Sequence, residues 1–440
     1  MLRAPSRSRA VLSALALLAA LLEVLFLLLR RFHPFDENIP EVVAISLAAT
    51  VVYFTAAYLA CRAEASGRAA LLIVLLAAVA FRVTLLPLPP SLSNDLYRYV
   101  WEGNIQLGGH SPYLSLPADP ALEALRTDHY HRFPGKEVPT AYGPTTQLLF
   151  RLTAALDGVL AFKLASVVFD LGTLLLLMGI LTSRGLPPAR ALLYGWCPLV
   201  VLEFAGSGHN DSLPVFLLLL ASGLIIGERR SMSIAALAAA TMSKWFAGVL
   251  APLFLLRAGW RGLPVFAGVA ALLWWPYRAA GWKLLAGAAT YGEKWRNNES
   301  LYALLLDASG QDALAAGVAA GVLVGLALHL AWQRAEPLRA TYLLMATVLL
   351  LSPSVFPWYV TWLVPFLCFF PHPAFLLFTG TVLLSYHTLI DFTALGVWRY
   401  QPWLVWLEYG PVYALLVWGW WRGRNKLPGT PSITFNSRAD

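Results

Sequence analysis

The 440-residue chain is 58% hydrophobic and only 13% charged, with a mean hydropathy of +0.64. Soluble domains are about half apolar and a quarter charged, which excludes a soluble globular fold. The net charge of +8 sits in short clusters between apolar runs, where it reports membrane topology rather than a nucleic-acid footprint.

Apolar stretches close to the ~20 residues that span a bilayer recur from Val11 to Trp421. They predict an all-α polytopic membrane protein of about 12–14 transmembrane helices, a single domain over 1–426. The first run, "VLSALALLAALLEVLFLLL", follows the basic start "MLRAPSRSRA". It is too long and leucine-rich for a signal-peptide core, so an uncleaved first helix is expected. Arg3, Arg7 and Arg9 place the N terminus in the cytoplasm. Two further runs, 41–60 and 69–87, flank the basic loop "CRAEASGR" and leave the loop 88–145 outside.

That loop opens with "PPSLSNDLYRYVWEGNIQLGGHSPY". On a helix beginning near Ser93, Asp95, Arg98 and Glu102 share one face. Ser93, Asn94 and Asp95 are each also good N-caps, so a capped interfacial helix explains the stretch equally well. Further on, "SRGLPPAR" and "GERRS" read as inside loops and "GSGHNDS" between them as outside. The segment "EFAGSGHND" gathers Glu203, His209, Asn210 and Asp211. An acidic group inside an apolar run costs on the order of 2–3 kcal/mol, and Glu203 therefore points to a partner or a wet cavity.

Lys244 is the lone charge between Ser231 and Leu256. A single crossing there would put Arg257 and Arg261 outside, so a tight hairpin with Lys244 near its turn is expected. An outward helix near 262–276 leads to a second outer loop, 277–312, which carries Lys294, Trp295, Arg296, Asn297 and Asn298 in one run. Four more spans follow. One begins "SPSVFPWYVTWLVPF", where Trp358 and Tyr359 suit either an interfacial belt or a sugar site. The basic "WRGRNK" keeps the C terminus inside, and 427–440 reads as a disordered cytoplasmic tail.

Familiar soluble chemistries are missing from the sequence: no P-loop, dinucleotide fingerprint or G-x-S-x-G elbow. His129 and His131 lack an HExxH context, and Cys61, Cys197 and Cys368 have no CxxC spacing. Neither a metal site nor a disulfide framework is expected.

The blocks "SNDLYRYVWEGNIQLGGHSPY", "TAYGPTTQLLF", "EFAGSGHND", "SKWFAGVLAPLFLL", "YGEKWRNNESLYALL" and "FPWYVTWLVPFL" occur in this order, from Ser93 to Phe366. Together the chain resembles bacterial GT-C glycosyltransferases, in particular the polyprenol-phosphate-mannose-dependent mannosyltransferases of envelope glycan assembly. The resemblance implies a GT-C-like bundle in the bacterial plasma membrane with an extracytoplasmic active site. It implies Asp95 as catalytic base and the "GHND" block as an acceptor or donor contact. The family usually reads Tyr-Pro-Pro where this chain has Tyr142-Gly143-Pro144, which loosens the assignment of sugar and acceptor.

The implied reaction moves one sugar, mannose favoured, from polyprenyl phosphate to a lipid-linked or envelope glycan, with inversion. Lys244, Lys294 and Arg296 are candidates for the leaving phosphate. Asn94, Arg98, Glu102, Tyr142, Glu203, His209, Asn210 and Asp211 are candidates to support the base or hold the acceptor. Trp101, Asn297, Trp358 and Tyr359 are candidate sugar contacts. Lipid phosphate leaves readily, so the donor itself is the one small-molecule partner expected, without cofactor. A multi-spanning transporter or flippase and an oligosaccharide ligase of the same architecture are the rival readings.

Overall fold

The computed structural model describes residues 5–62, 67–156 and 158–424. Among these the chain is helical, with no extended strand beyond a parallel bridge between Asn297 and Ser354. The 427–440 tail lies outside the described residues.

The bundle has two ends. One, the site end, gathers Pro89, Leu96, the 207–211 turn, Asn297 and Ser354. The opposite end gathers Arg184, Arg257, Arg334 and Glu336. Helices α1 (Pro5–Arg30), α2 (Ile39–Arg62) and α3 (Arg68–Leu85) run between the ends, and α1 packs on both of the others. A folded cap at the site end follows, with α4 (Asp95–Leu107) at its centre and α5 (Pro144–Ala154) beside it. α6 (Gly158–Ser183) returns to the opposite end. The next pass is bent by 60° between Pro188–Gly195 and Pro198–Gly206 and contains α7 (Leu192–Gly195) and α8 (Pro198–Val201).

α9 (Ser212–Ile226) and α10 (Arg230–Thr241) form the most closely packed pair. The chain then breaks at Lys244 and returns through a 3-10 turn and α11 (Ala251–Ala258). α12 (Gly262–Trp274) leads to the second site-end segment, with α13 (Ala286–Lys294) and α14 (Leu301–Ser309). The long α15 (Asp312–Trp332) and α16 (Pro337–Leu351) come next. A broken pass holds α17 (Pro357–Val360) and α18 (Val364–Leu367). α19 (Pro373–Thr381) and α20 (Thr388–Leu395) form one interrupted span, and α21 (Pro402–Arg424) closes the described chain.

Six passes are helices long and apolar enough to cross a membrane, and the bent pair makes a seventh. Shorter apolar helices, Ser212–Ile226, Trp245–Ala258 and Pro337–Leu351, lie among them in the described residues. The fragmentation of the broken passes has a local cause. Pro198, Pro357 and Pro365 stand in the first turns of short helices, where a missing N–H and a fixed φ start a helix but cannot continue one.

The hairpin expected around Lys244 is present. The Gly143 N–H donates to Ser243 O at 3.0 Å and the Thr145 N–H to Met242 O at 2.9 Å, so the outer segment backs the break. At the other end Arg257 donates to the carbonyls of Arg334 at 2.6 Å and Ala335 at 2.9 Å. Arg257 therefore lies with Arg184 and Glu336 at the end opposite the site.

One intramembrane pair was not anticipated. Arg82 of α3 makes a two-pronged contact with Asp170 of α6, at 2.7 and 3.1 Å, and also donates to the carbonyl of Gly195 where the bent pass breaks. Both side chains are buried and fully engaged, so the pair ties three passes together.

Candidate active site

Asp95 stands in the first turn of α4, its N–H donating to Ser93 Oγ at 3.2 Å. Its carboxylate is half-buried and accepts no hydrogen bond among the described residues. Burial is the main influence on it and pushes its pKa up to about 6, against the attraction of Lys244. Asp211, Arg98 and Glu102 act on it more weakly. Asn94 supplies the N-cap backbone of α4 without a side-chain capping bond.

The charges that share a helix face with Asp95 have separate tasks. Arg98 donates to Glu102 at 2.8 Å and to the carbonyls of Gly135 at 2.9 Å and Val138 at 2.7 Å. Glu102 is buried and also accepts from Thr140 at 2.8 Å and Gln147 at 2.5 Å. Gln147 and Gln106 are bonded to each other, and the Tyr277 hydroxyl donates to Gln106 at 2.8 Å. Arg98 and Glu102 thus knit the cap together, and Gln106 ties it to the second site-end segment through Tyr277. They do not bond to Asp95, and both carboxylate oxygens of Glu102 are engaged within the cap. Trp101 is likewise a core side chain, packed among Tyr97, Ile105, Leu122 and Phe133, and not a sugar wall.

Across from Asp95, Lys244 projects from the break after α10 and pairs with Asp211 at 2.5 Å. Its ammonium also lies 4.8 Å from the Tyr359 ring centre, 5.2 Å from Trp362 and 6.0 Å from Tyr142. This aromatic surround suits a partly desolvated cation. Trp362 donates its indole N–H to the same Asp211 oxygen at 2.6 Å. The Tyr142 hydroxyl donates to that of Tyr99 at 3.4 Å, and the Tyr291 and Tyr359 hydroxyls meet at 2.7 Å. Asp95, Lys244, Asp211, Tyr142 and Tyr359 therefore share one polar site.

The "EFAGSGHND" block forms its inner wall. Glu203 sits in a π-turn, Leu202–Gly206, and accepts from the Tyr386 hydroxyl at 2.5 Å. Its other oxygen lies 3.4 Å from His209 Nε2. His209 stacks on Trp358 with ring centres 3.9 Å apart, and Phe356 covers the far face of that indole at 4.5 Å. Both faces of Trp358 are thus occupied, which removes it as a stacking platform for sugar.

The second outer segment contributes less than its composition suggested. Lys294 is exposed at the end of α13 with no contact to the site. Arg296 is bound to Asp312 and Glu299 and covers the Tyr302 ring, so its charge is already paired. Asn297 holds backbone: its N–H donates to Pro353 O, its amide to Val355 O at 3.2 Å, and it accepts from the Tyr400 hydroxyl. Three site residues escaped sequence reasoning: Tyr291, Trp362 and Tyr386. Aromatic side chains in apolar runs carry no signal of their own, and only the fold brings these to Lys244 and Glu203.

Residues 10–259 match the family model described as alpha-(1->6)-mannopyranosyltransferase, N-terminal domain. The chain belongs to this family. It is also 29% identical over 190 residues to alpha-(1->6)-mannopyranosyltransferase A of Corynebacterium glutamicum. That match covers 41% of this chain and 36% of the relative, so the chain spans about a third of the length of the curated relative it matches. In this member of the family, Asp95, Glu203, Asp211 and Lys244 all fall inside the matched region, whereas Tyr291, Trp358, Tyr359, Trp362 and Tyr386 come from the part beyond it.

Proposed function

We propose that the protein transfers one mannosyl residue from a polyprenyl-phosphate carrier to a hydroxyl of a glycan acceptor. The transfer would form the α-(1→6) linkage named for its relatives. The observation that carries this is the facing of an unengaged, half-buried carboxylate, Asp95, and the Lys244 cation within one polar site of a mannosyltransferase-family membrane protein.

The chemistry is a single displacement. Asp95 takes the proton from the acceptor hydroxyl as its oxygen attacks the anomeric carbon. The bond from that carbon to the phosphate oxygen breaks on the opposite face, inverting the centre. Lys244 holds the charge that gathers on the departing lipid phosphate. Because Lys244 is paired with Asp211, the phosphate must displace a carboxylate to reach it. Phosphate on a lipid leaves without help from a metal, so no cofactor is included. Arg184, Arg257 and Arg334 gather at the opposite end, which supports a cytoplasmic position for that end and an extracytoplasmic site in the bacterial plasma membrane. Family membership favours single-sugar transfer over the transporter and oligosaccharide-ligase readings.

The test is transfer of labelled mannose from polyprenyl-phosphate mannose by the purified protein in nanodiscs, given envelope glycans as acceptors. Asp95→Asn should lower turnover by about 10²–10⁴-fold, the usual contribution of a general base, while leaving donor binding intact. Near-normal turnover in that variant would remove Asp95 from the mechanism. Donor-dependent flux across the bilayer without transfer would revive the transporter.

A further inference from the structure

Between α12 and α13 the chain crosses the site end as a 3-10 stretch, Trp275–Leu285, interrupted at Gly281, which has φ +54°. One side of it is buried through Tyr277, Ala280 and Leu284. The other side carries Trp275, 60% exposed, and Trp282, 80% exposed, with Arg278 and Lys283 exposed between and beside them. Arg151 of α5, also exposed, stands one turn beyond Leu148, which packs on the buried side. We propose that this surface is a docking site for the anionic headgroups of membrane phospholipids, with the indoles at the boundary of the acyl chains and the three cations on the phosphates.

Charge singles this surface out. Arg151, Arg278 and Lys283 have no acidic partner among the described residues, whereas Arg98, Arg296 and Arg399 at the same end are each paired with a carboxylate. Between Arg261 and Glu293 the chain has no acidic residue. Short segments outside the cytoplasm are ordinarily poor in Lys and Arg, so unpaired cations on the side proposed to be extracytoplasmic need a reason of their own. The Arg278 guanidinium lies 4.6 Å from the Trp275 ring centre and donates to the Trp275 carbonyl at 3.1 Å, which holds cation and indole together on one face. Indoles interleaved with cations suit a headgroup layer, which is apolar on one side and wet and anionic on the other.

The surface is joined to the site from beneath. Tyr277 donates to Gln106 of α4 at 2.8 Å, and Tyr277 and Leu284 share an apolar cluster with Trp245, the residue after Lys244. Trp245 in turn donates to Ala141 O at 3.2 Å, and Gly287 approaches Thr140 O so closely that a Cβ has no room. Lipid held on Trp275–Leu285 therefore bears on the backbone that carries Tyr142 and on the break that presents Lys244. Being exposed and spread over two elements, the three cations suit exchangeable headgroups of the surrounding lipid and not a single enclosed donor.

This inference rests on the membrane-surface position proposed for the site end, and a binding readout tests it apart from mannosyl transfer. The full chain is placed in nanodiscs of phosphatidylcholine mixed with phosphatidylglycerol. The lipids it retains are measured by native mass spectrometry for wild type, for Arg278→Gln combined with Lys283→Gln, and for Arg278→Lys. The wild type is expected to retain phosphatidylglycerol in preference to phosphatidylcholine. That preference should fall about fivefold for each cation removed and survive in Arg278→Lys, which keeps the charge. Trp282→Ala should weaken retention of both lipids. All these side chains are exposed, so Tm in phosphatidylcholine alone should not change. The same preference in wild type and the double variant, or none in the wild type, would overturn the proposal. So would a Trp282→Ala variant that retains both lipids as well as wild type, since the segment would then lie in water. Absence of mannosyl transfer in the same nanodiscs would sink the transfer reading and leave the lipid preference standing.

Discussion

At the scale of single residues, charges of the same type do unlike work according to what else they touch. Asp95 and Glu102 lie two turns apart on one helix, yet Glu102 is saturated by Arg98, Thr140 and Gln147 while Asp95 is left open. With the Asp95 pKa at about 6, kcat/KM should rise about tenfold per pH unit below 6 and level off above 7. The stability effect has the opposite sense. A carboxyl whose folded pKa exceeds its ordinary 3.8 favours the folded state most when protonated, and that advantage fades as pH rises through about 6. Asp95→Asn should therefore melt no lower than wild type at pH 7 while losing turnover; a marked drop in Tm would show that the carboxylate has a structural role. The sequence made Asp95, Lys244 and the "GHND" residues legible because a charge in or beside an apolar run demands a reason. It could not show that Arg296 and Asn297 are consumed by Asp312, Val355 and Tyr400, since those partners come from other passes.

At the scale of elements, close backbone approaches hold the site. A Cβ at Gly208 would run into Leu96 Cδ1 and come within 2.8 Å of Lys163 Cγ. Gly208→Ala should thus displace α4 and cut turnover at least tenfold, and adding Leu96→Ala should restore part of it. No recovery in the double variant would place the fault in the turn's backbone rather than in its contact with α4. Gly143, where the family usually has proline, donates its N–H to Ser243 O and has no room for a Cβ beside Met242 O. The departure noted in the sequence is in this way tied to the break that presents Lys244. Deeper in the bundle, Arg82→Met should destabilise by about 3–5 kcal/mol by stranding Asp170, and Arg82→Met with Asp170→Leu should recover most of it, as measured by denaturant or thermal unfolding. A single variant as stable as wild type would mean that Asp170 is hydrated and the pair is not dry.

For the whole molecule, hydropathy and charge revealed the helical membrane class and the returning pass at 231–256. They did not reveal that most passes beyond the long ones are short or broken, because proline and polar breaks interrupt a helix without interrupting its apolar run. Cysteines at 184 and 257 should react with a membrane-impermeant thiol reagent from the same side, and one placed at 294 from the other. Labelling of 257 together with 294 would straighten the Lys244 hairpin into a single crossing. The part of the chain beyond the family match contributes Tyr291, Tyr359, Trp362 and Tyr386, so a fragment ending near 259 would keep Asp95 and Lys244 yet lack the aromatic enclosure around them.

The Asp211–Lys244 contact also bears on how the cycle would end. The reaction leaves behind a carrier whose bare phosphate is more highly charged than the one that arrived, and an unpaired lysine would hold it tightly. An in-built carboxylate waiting 2.5 Å from the ammonium reclaims Lys244 as the carrier loosens. Asp211 would in this way weaken the grip on the spent lipid as much as on the fresh one, trading affinity for release.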